Sequence, residues 1–476
     1  MSPSSINEKE LRKIVEQVVM RMNSSTPANT VDRSGYNTLK GNLGLFSSAD
    51  SAFDAAELAY HQLSEMSLKK RGELIENFRA ACRKEVESLA KTAHEETGYG
   101  RIEDKIQKNI LAIEKTPGIE DIKGEVFTGD HGMTLVERGP FGIIAAITPS
   151  TNPSATVINN AISMVAAGNT VVFNCHPSAK KSSLRVIEIF NEVAVKCGAP
   201  LNIITGIAEP NIDTSRQVMN HKKARIVVVT GGEVVVKEAF KTGKKVMAAG
   251  PGNPPAVVDE TADIEKAGRD IVSGATFDNG VLCTAEKEVI AVSSIADRLK
   301  EVMVQNGAYE INAEELNRLE KVIFNSNGGP ARKFIGKNAS VILAEIGIKV
   351  DENTRMVLCE TGQNHPLVTT EMLMPVVPLV RVPDIDTAIE LACEVENYNL
   401  HTATMHSKNI ENLHKMARKI KTSIFVKNAP SYCGLGYLGE GPATLTICTP
   451  TGEGITTAKS FTRRRSCALV DYFRII

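Results

Sequence analysis

The chain contains no tryptophan, and aromatic residues make up only 5% of it. That leaves too few flat side chains for a platform on which single-stranded nucleic acid would stack. A surplus of either charge is lacking too, with 55 basic residues against 56 acidic ones. Neither a phosphate backbone nor an anionic membrane therefore has an electrostatic reason to be the main partner. No run approaches the roughly 18 uninterrupted apolar residues that cross a bilayer. The N-terminus also lacks the apolar core of a secretory signal, so a cytoplasmic location is expected. The nine cysteines include no C-x-x-C pair and no cluster with histidine at zinc spacing. A reduced chain without a structural metal follows.

What is present is length. A chain of 476 residues exceeds the size at which one core keeps growing, so two or three domains are expected. At the start, Leu11, Ile14, Val15, Val18 and Met22 recur at helical spacing among charged residues. This predicts an amphipathic helix within residues 1–22, followed by a polar, proline-containing linker over 23–42. So short a helix is marginal alone in water and needs something to cover its apolar stripe. Its own body, a neighbouring subunit or a separate partner would each serve.

Residues 50–115 are rich in Ala, Leu, Glu and Lys with helical periodicity. From 142 onward, β-branched runs alternate with helical ones: strands near 142–147, 170–173 and 225–229, and helices near 153–166 and 181–197. Such alternation predicts parallel strands with crossover helices, an α/β nucleotide-binding architecture. A second α/β segment has strand candidates near 256–258, 288–292, 375–380 and 423–426. Between the two helical and strand-rich stretches, 124–137 reads as a hairpin around Gly129-Asp130-His131-Gly132.

The chemistry is suggested by Phe277-Asp278-Asn279-Gly280-Val281-Leu282-Cys283, a glycine-broken loop ahead of the strand at 288–292. A thiol there can be presented to a substrate, and loop N–H groups can stabilise both its thiolate and an oxyanion formed on a carbonyl. Most cysteines are simply small buried hydrophobes. The single literal G-x-G-x-x-G, Gly434-Leu435-Gly436-Tyr437-Leu438-Gly439, reads as a decoy, because no helical run follows to meet a pyrophosphate.

Taken in order from 141 to 450, these motifs resemble the aldehyde dehydrogenase superfamily, and within it the CoA-acylating propionaldehyde and acetaldehyde dehydrogenases of bacterial microcompartments. The resemblance implies an aldehyde dehydrogenase-like fold: a Rossmann-type cofactor domain over 43–122 and 141–253, a catalytic domain over 254–440, and a small β oligomerisation domain over 123–140 and 441–476. It implies Cys283 as nucleophile and Asn152, in Thr148-Pro149-Ser150-Thr151-Asn152-Pro153, as the amide donor to the substrate oxygen. It implies contacts to NAD by Thr148, Pro149, His176, Pro177, Thr230, Gly231, Gly232, Gly250 and Glu371. The family's Lys-Pro-Ser-x-Glu segment here has His176 for the lysine and lacks the acid, so NADP is admitted beside NAD. Coenzyme A is implied as co-substrate, a short aldehyde such as propanal or acetaldehyde as substrate, shell protein as the partner of residues 7–22, and a homodimer or homotetramer as the assembly.

The departure that matters most is at Ala248 and Ala249, in the region where hydrolytic members carry a glutamate that activates water. Without it a thiol is the better acceptor of the acyl group. Two rivals remain: a hydrolytic enzyme giving the free acid, and a non-catalytic shell-binding scaffold. His365 is a candidate for deprotonating the CoA thiol, set against a purely structural place before Pro366. Arg463, Arg464 and Arg465 suit either CoA phosphates or an oligomer contact.

Overall fold

A computed structural model describes residues 43–476; the helix expected within 1–22 and the linker over 23–42 lie outside them. The described chain opens on a short strand, Leu45–Phe46 (β1), and four helices, Ala49–Ser64, Leu68–Lys84, Val86–Thr97 and Ile102–Lys115. A hairpin follows, Glu125–Gly129 (β2) and Gly132–Pro140 (β3), with Gly129 opposite Gly132 as the turn residues predict. Then Ile143–Ile147 (β4), Thr170–Asn174 (β5), Ile204–Ile207 (β6), Ala224–Thr230 (β7) and Lys245–Ala249 (β8) alternate with helices.

With β1 these strands form a six-stranded sheet in the order β1-β6-β5-β4-β7-β8, parallel throughout. Every residue of β4 and β5 is buried, as strands covered by helices on both faces require. The chain runs from β4 outward to β5 and β6, then crosses back to β7 and β8 on the other side. At the carboxyl ends of β4 and β7 the order reverses, and such a switch point is where parallel sheets open a ligand crevice.

The second layer comprises Pro255–Val258 (β9), Glu288–Val292 (β10), Ala308–Glu310 (β11), Met356–Thr361 (β12), Val376–Val382 (β13), Thr402–His406 (β14) and Ile424–Lys427 (β15). They make a seven-stranded parallel sheet, β11-β12-β13-β10-β9-β14-β15. The remaining strands are Ile447–Cys448 (β16), Gly454–Ile455 (β17) and Thr462–Val470 (β18). β18 pairs antiparallel with β3 to complete the small sheet β18-β3-β2. The segment before it turns inward instead: Leu445, Cys448, Ala458 and Phe461 are buried in the core around Phe173 and Phe190. Among the described residues, no helix is long and apolar enough to cross a membrane.

The helix Ile264–Thr276 ends in a single turn, Phe277–Gly280, in which Asp278 and Asn279 take left-handed φ values of 50° and 55°. Side chains avoid that region unless something holds them there. Here the fully buried Asp278 carboxylate receives Lys105 Nζ at 3.0 Å and the backbone N–H of Arg101 at 2.8 Å, and also pairs with Lys108. Gly100, itself at φ +68°, lets the backbone come this close, since a β-carbon there would lie 1.8 Å from Asp278 Oδ1. Replacing Gly100 by alanine is therefore expected to cost about 2–4 kcal/mol, read as a lowered thermal midpoint. An unchanged midpoint would show that the turn relaxes freely.

Candidate active site

One cleft of about 240 Å³ opens at the switch point and gathers residues from both sheets. The loop after β4 supplies Pro149, Ser150, Thr151 and Asn152; His176 follows β5; Thr230, Gly231 and Gly232 follow β7; Ala249 and Gly250 end β8. From the second layer come Val281, Cys283, Glu371 and Leu373. Of the residues singled out in the sequence, Pro149, Asn152, His176, Thr230, Gly231, Gly232, Gly250, Cys283 and Glu371 thus share one wall-to-wall site. Thr148 is buried just behind it, its N–H donating to the Asn174 carbonyl at 3.4 Å, and Pro177 begins the short turn beyond His176.

Cys283 is half-buried. Burial pushes its thiol up to about 12, and the neighbouring Glu371 charge adds to the rise. Lys287, the residue's own backbone N–H and Lys108 pull the other way. Among the described residues, Glu371 is the only acidic one lining the cleft; it accepts the Gly252 N–H at 3.4 Å, and burial raises its own pKa. Among the described residues lining the cleft, the β8 side contributes Ala249 and Gly250 and no carboxylate.

Asn152 sits at the N-cap of the helix Pro153–Ala166, yet its side chain caps nothing. Its Oδ1 instead accepts Lys108 Nζ at 2.5 Å, and one Nδ2 hydrogen meets Thr151 Oγ1 at 3.3 Å. An ammonium can only donate, so the carbonyl end of the amide must face the lysine and the NH₂ end must face away. A free amide donor on the cleft wall opposite a cysteine is the arrangement an oxyanion needs.

The glycines at the end of β7 leave space for a cofactor. Gly232 caps the helix Glu233–Phe240 without any side-chain cap. β-Carbons added at Gly231 or Gly232 would meet no atom within 4 Å. An open cradle with uncapped helical N–H groups suits a phosphate or a ribose pressed against backbone. The residues present fit a dinucleotide lying across the switch point.

His365 lies elsewhere: it does not line the cleft, its Nε2 pairs with Glu320, and its Nδ1 caps the short helix Pro366–Thr369 by accepting the Leu367 N–H. Arg463, Arg464 and Arg465 are exposed on β18, also off the cleft, with Arg464 paired to Glu125 at 3.1 Å. The Gly434–Gly439 motif falls in a short turn with no α-helix after it. The sequence reading missed His401. It is fully buried, its Nδ1 is engaged by Thr402 Oγ1 at 2.9 Å, and its Nε2 has no hydrogen-bond partner among the described residues. Gly252 fits between it and the nucleophile: a β-carbon there would lie 2.7 Å from the Cys283 carbonyl oxygen and 3.0 Å from His401 Cγ. Lys108 and Lys287 were missed as well.

Comparison with known proteins agrees with this geometry. Residues 43–434 match the model of the aldehyde dehydrogenase family. An acetylating acetaldehyde dehydrogenase of Salmonella typhimurium is 45% identical across 99% of this chain and 100% of its own length. A propionaldehyde dehydrogenase of Rhodopseudomonas palustris, solved with bound CoA and an acylated cysteine, is 48% identical and superposes with a TM-score of 0.89 over 90% of this chain and 99% of its own. A propionaldehyde dehydrogenase from the fucose-utilisation microcompartment of Clostridium phytofermentans is 44% identical, with a TM-score of 0.90 over 91% of this chain and 100% of its own. The Cys283 loop, the Asn152 amide and the Gly231–Gly232 turn share one cleft, and these matches along almost the whole sequence mean that the chain belongs to the aldehyde dehydrogenase family.

Proposed function

We propose that this chain is a CoA-acylating aldehyde dehydrogenase that converts a short aliphatic aldehyde, CoA and NAD⁺ to acyl-CoA, NADH and a proton. The observation that carries the reading is a cleft holding Cys283 and the Asn152 amide with Ala249 where hydrolytic relatives have a base. Cys283 as thiolate attacks the aldehyde carbon, and the oxygen's negative charge is held by its own backbone N–H and Asn152 Nδ2. The dinucleotide, when bound over Gly231 and Gly232, supplies the hydride acceptor. Loss of hydride from the aldehyde carbon leaves a thioester on Cys283. The sulfur of CoA then attacks that carbonyl through the same oxyanion site, and the Cys283 thiolate leaves.

His401, which Gly252 alone separates from the Cys283 carbonyl, is the imidazole we assign to the proton of the CoA thiol, whereas both ring nitrogens of His365 are spent on Glu320 and a helix cap. Burial and the Lys287 charge hold it down to about 4, so near neutral pH it is an unprotonated acceptor with Nε2 free. Thr148, Pro149, His176, Pro177, Thr230, Gly231, Gly232, Gly250 and Glu371 make the dinucleotide's surroundings in this reading. Burial and the nearby Arg332 lower the His176 pKa, leaving it a neutral neighbour for the adenosine ribose. With no acid in this stretch, NADP as well as NAD is accepted.

The assembly is a homo-oligomer in which the small sheet docks on a second copy. The small sheet exposes apolar side chains, with Val126 and Phe127 each 57% exposed and Tyr472 and Phe473 beyond β18 exposed too. Residues 7–22 are the segment that binds shell protein, and the enzyme acts inside a microcompartment. The domain limits proposed are 43–122 with 141–253 for the cofactor, 254–440 for catalysis, and 123–140 with 441–476 for assembly.

Three outcomes are expected. Purified protein given propanal and NAD should form NADH steadily only when CoA is added, with propionyl-CoA as product; equal steady turnover without CoA would mean that water resolves the thioester. In the cofactor-free enzyme, iodoacetamide should inactivate Cys283 at a rate rising about tenfold per pH unit from about pH 7 to about 9, because the thiolate fraction grows that way below a raised pKa. Lys287→Met, by removing a cation that favours the thiolate, should slow that reaction throughout; a plateau below about pH 9, or a Lys287→Met rate equal to the parent's, would contradict the electrostatics. Protein lacking residues 1–42 should keep its specific activity but lose co-sedimentation with shell proteins, and undiminished co-sedimentation would end the encapsulation assignment.

A further inference from the structure

The helix Ile102–Lys115 belongs to the lead-in rather than to either loop that carries chemistry, yet Lys108 on it reaches both. Its Nζ donates to Asn152 Oδ1 at 2.5 Å and to the Thr151 carbonyl at 3.3 Å, and it pairs with the Asp278 carboxylate. Asn152 ends the loop after β4; Asp278 lies five positions before Cys283 in the turn that delivers the nucleophile. The lysine side chain is almost wholly enclosed, at 3% exposure, and Asp278 at 0%. One ammonium with three hydrogens therefore ties the two halves of the oxyanion site to each other.

We propose that Lys108 is a positioning residue for catalysis: it fixes the Asn152 amide with its NH₂ end toward the cleft and sets the spacing between Asn152 and the Cys283 loop. Three features support this role over mere filling of space. Without the lysine, the N-cap position of Asn152 would favour the ordinary alternative, in which the side-chain oxygen turns to accept helical N–H groups. That rotation would carry the Nδ2 donor out of the cleft. Next, Asp278 already has Lys105 Nζ at 3.0 Å and the Arg101 N–H at 2.8 Å, so Lys108 is not needed merely to neutralise one carboxylate. Finally, a cation on the carbonyl side of an amide draws electron density from it and strengthens its N–H as a donor.

This inference rests on Asn152 being the oxyanion donor, and a double-mutant cycle separates the two claims. Aldehyde oxidation with saturating CoA would be compared in the full-length parent, Asn152→Ala, Lys108→Met and the double variant. Asn152→Ala is expected to lose about 10²–10³ in kcat, the scale of an oxyanion donor. Lys108→Met should lose a comparable factor with its dissociation constant for NADH unchanged, and the double variant should be no slower than Asn152→Ala alone. Losses that multiply in the double variant would show that Lys108 acts elsewhere and would overturn the proposal while leaving the role of Asn152 intact. Full activity in Asn152→Ala would overturn the oxyanion reading and this inference with it. If Lys108→Met does not fold, Lys108→Gln takes its place in the same cycle, because its amide can still donate but cannot serve Asn152, Thr151 and Asp278 together.

Discussion

The carboxylate of Asp278 is the constraint on which the site depends. A charge with no solvent exposure is tolerated only when it is paired and hydrogen-bonded, and leaving such a charge without a counter-ion costs several kcal/mol. Lys105, Lys108 and the Arg101 N–H provide that company, while the N–H of Asp278 itself donates to Asp104 Oδ2 at 2.8 Å. Side chain and backbone of one residue are thus both bound to the segment 100–108. The left-handed turn that follows is held in place by Asn279, whose amide donates to the Gly336 carbonyl at 2.9 Å and to Asn338 Oδ1 at 2.8 Å. The loop that carries Cys283 inherits its position from these contacts rather than from anything Cys283 does.

The same economy governs charge around the thiol. Burial and Glu371 oppose ionisation of Cys283, and Lys287 counters them from beneath. Lys287 Nζ also donates to the carbonyls of Gly280 at 2.6 Å and Leu282 at 3.2 Å. Those oxygens would repel an oxyanion if they faced it, and the ammonium holds them to itself. Glu286, one residue earlier, is bound by the N–H and hydroxyl of Ser431, and burial lifts its carboxyl to about 7. The loop therefore rests on groups whose charges are set by enclosure. A thiol whose ionisation is opposed by burial is also a poor target for oxidants, since the thiolate is the reactive form.

Much of this was readable in the sequence, and the parts that were not share a cause. β-Branched runs bounded by glycine and proline located β4, β5, β7, β9, β10, β13 and β15 to within a few residues, because strands buried on both faces must be continuously apolar. Cys283, Asn152 and the paired glycines announced themselves through loop chemistry next to strand ends. Lys105 and Lys108 did not. On a helix whose ends are charged, lysines three apart look like a solvated stripe, and nothing local reveals that the carboxylate they serve lies 170 residues further on. A signal was nonetheless available: Lys105, Lys108, Asn109 and Ala112 fall on one helical face with Leu111 and Ile113 beside it, a polar stripe where the core side should be. His365 misled for the opposite reason. Its proline neighbour marked a loop, and loops suggest function, but the side chain is spent on Glu320 and a helix cap, whereas His401 hides at the foot of β14 with no motif around it.

The wall formed by Ala249 bears on why such a site would prefer a thiol to water. The carbonyl of a thioester is attacked by the conjugate base of the acceptor, and an ordinary thiol gives up its proton near pH 8.5 whereas bulk water does so only near about 15.7. To use water the cleft would have to provide a strong, well-aimed base. The β8 side offers a methyl group, and the one carboxylate that the described residues bring to the cleft, Glu371, lies near the thiol and accepts the Gly252 N–H. To use a thiol it needs only a modest acceptor and an oxyanion site already built for the first step. In the proposed reaction both tetrahedral oxyanions would form at the same carbonyl, so the Asn152 amide that Lys108 holds would act twice per turnover. The absence of one side chain on β8 and the presence of two buried lysines are in that sense parts of a single arrangement.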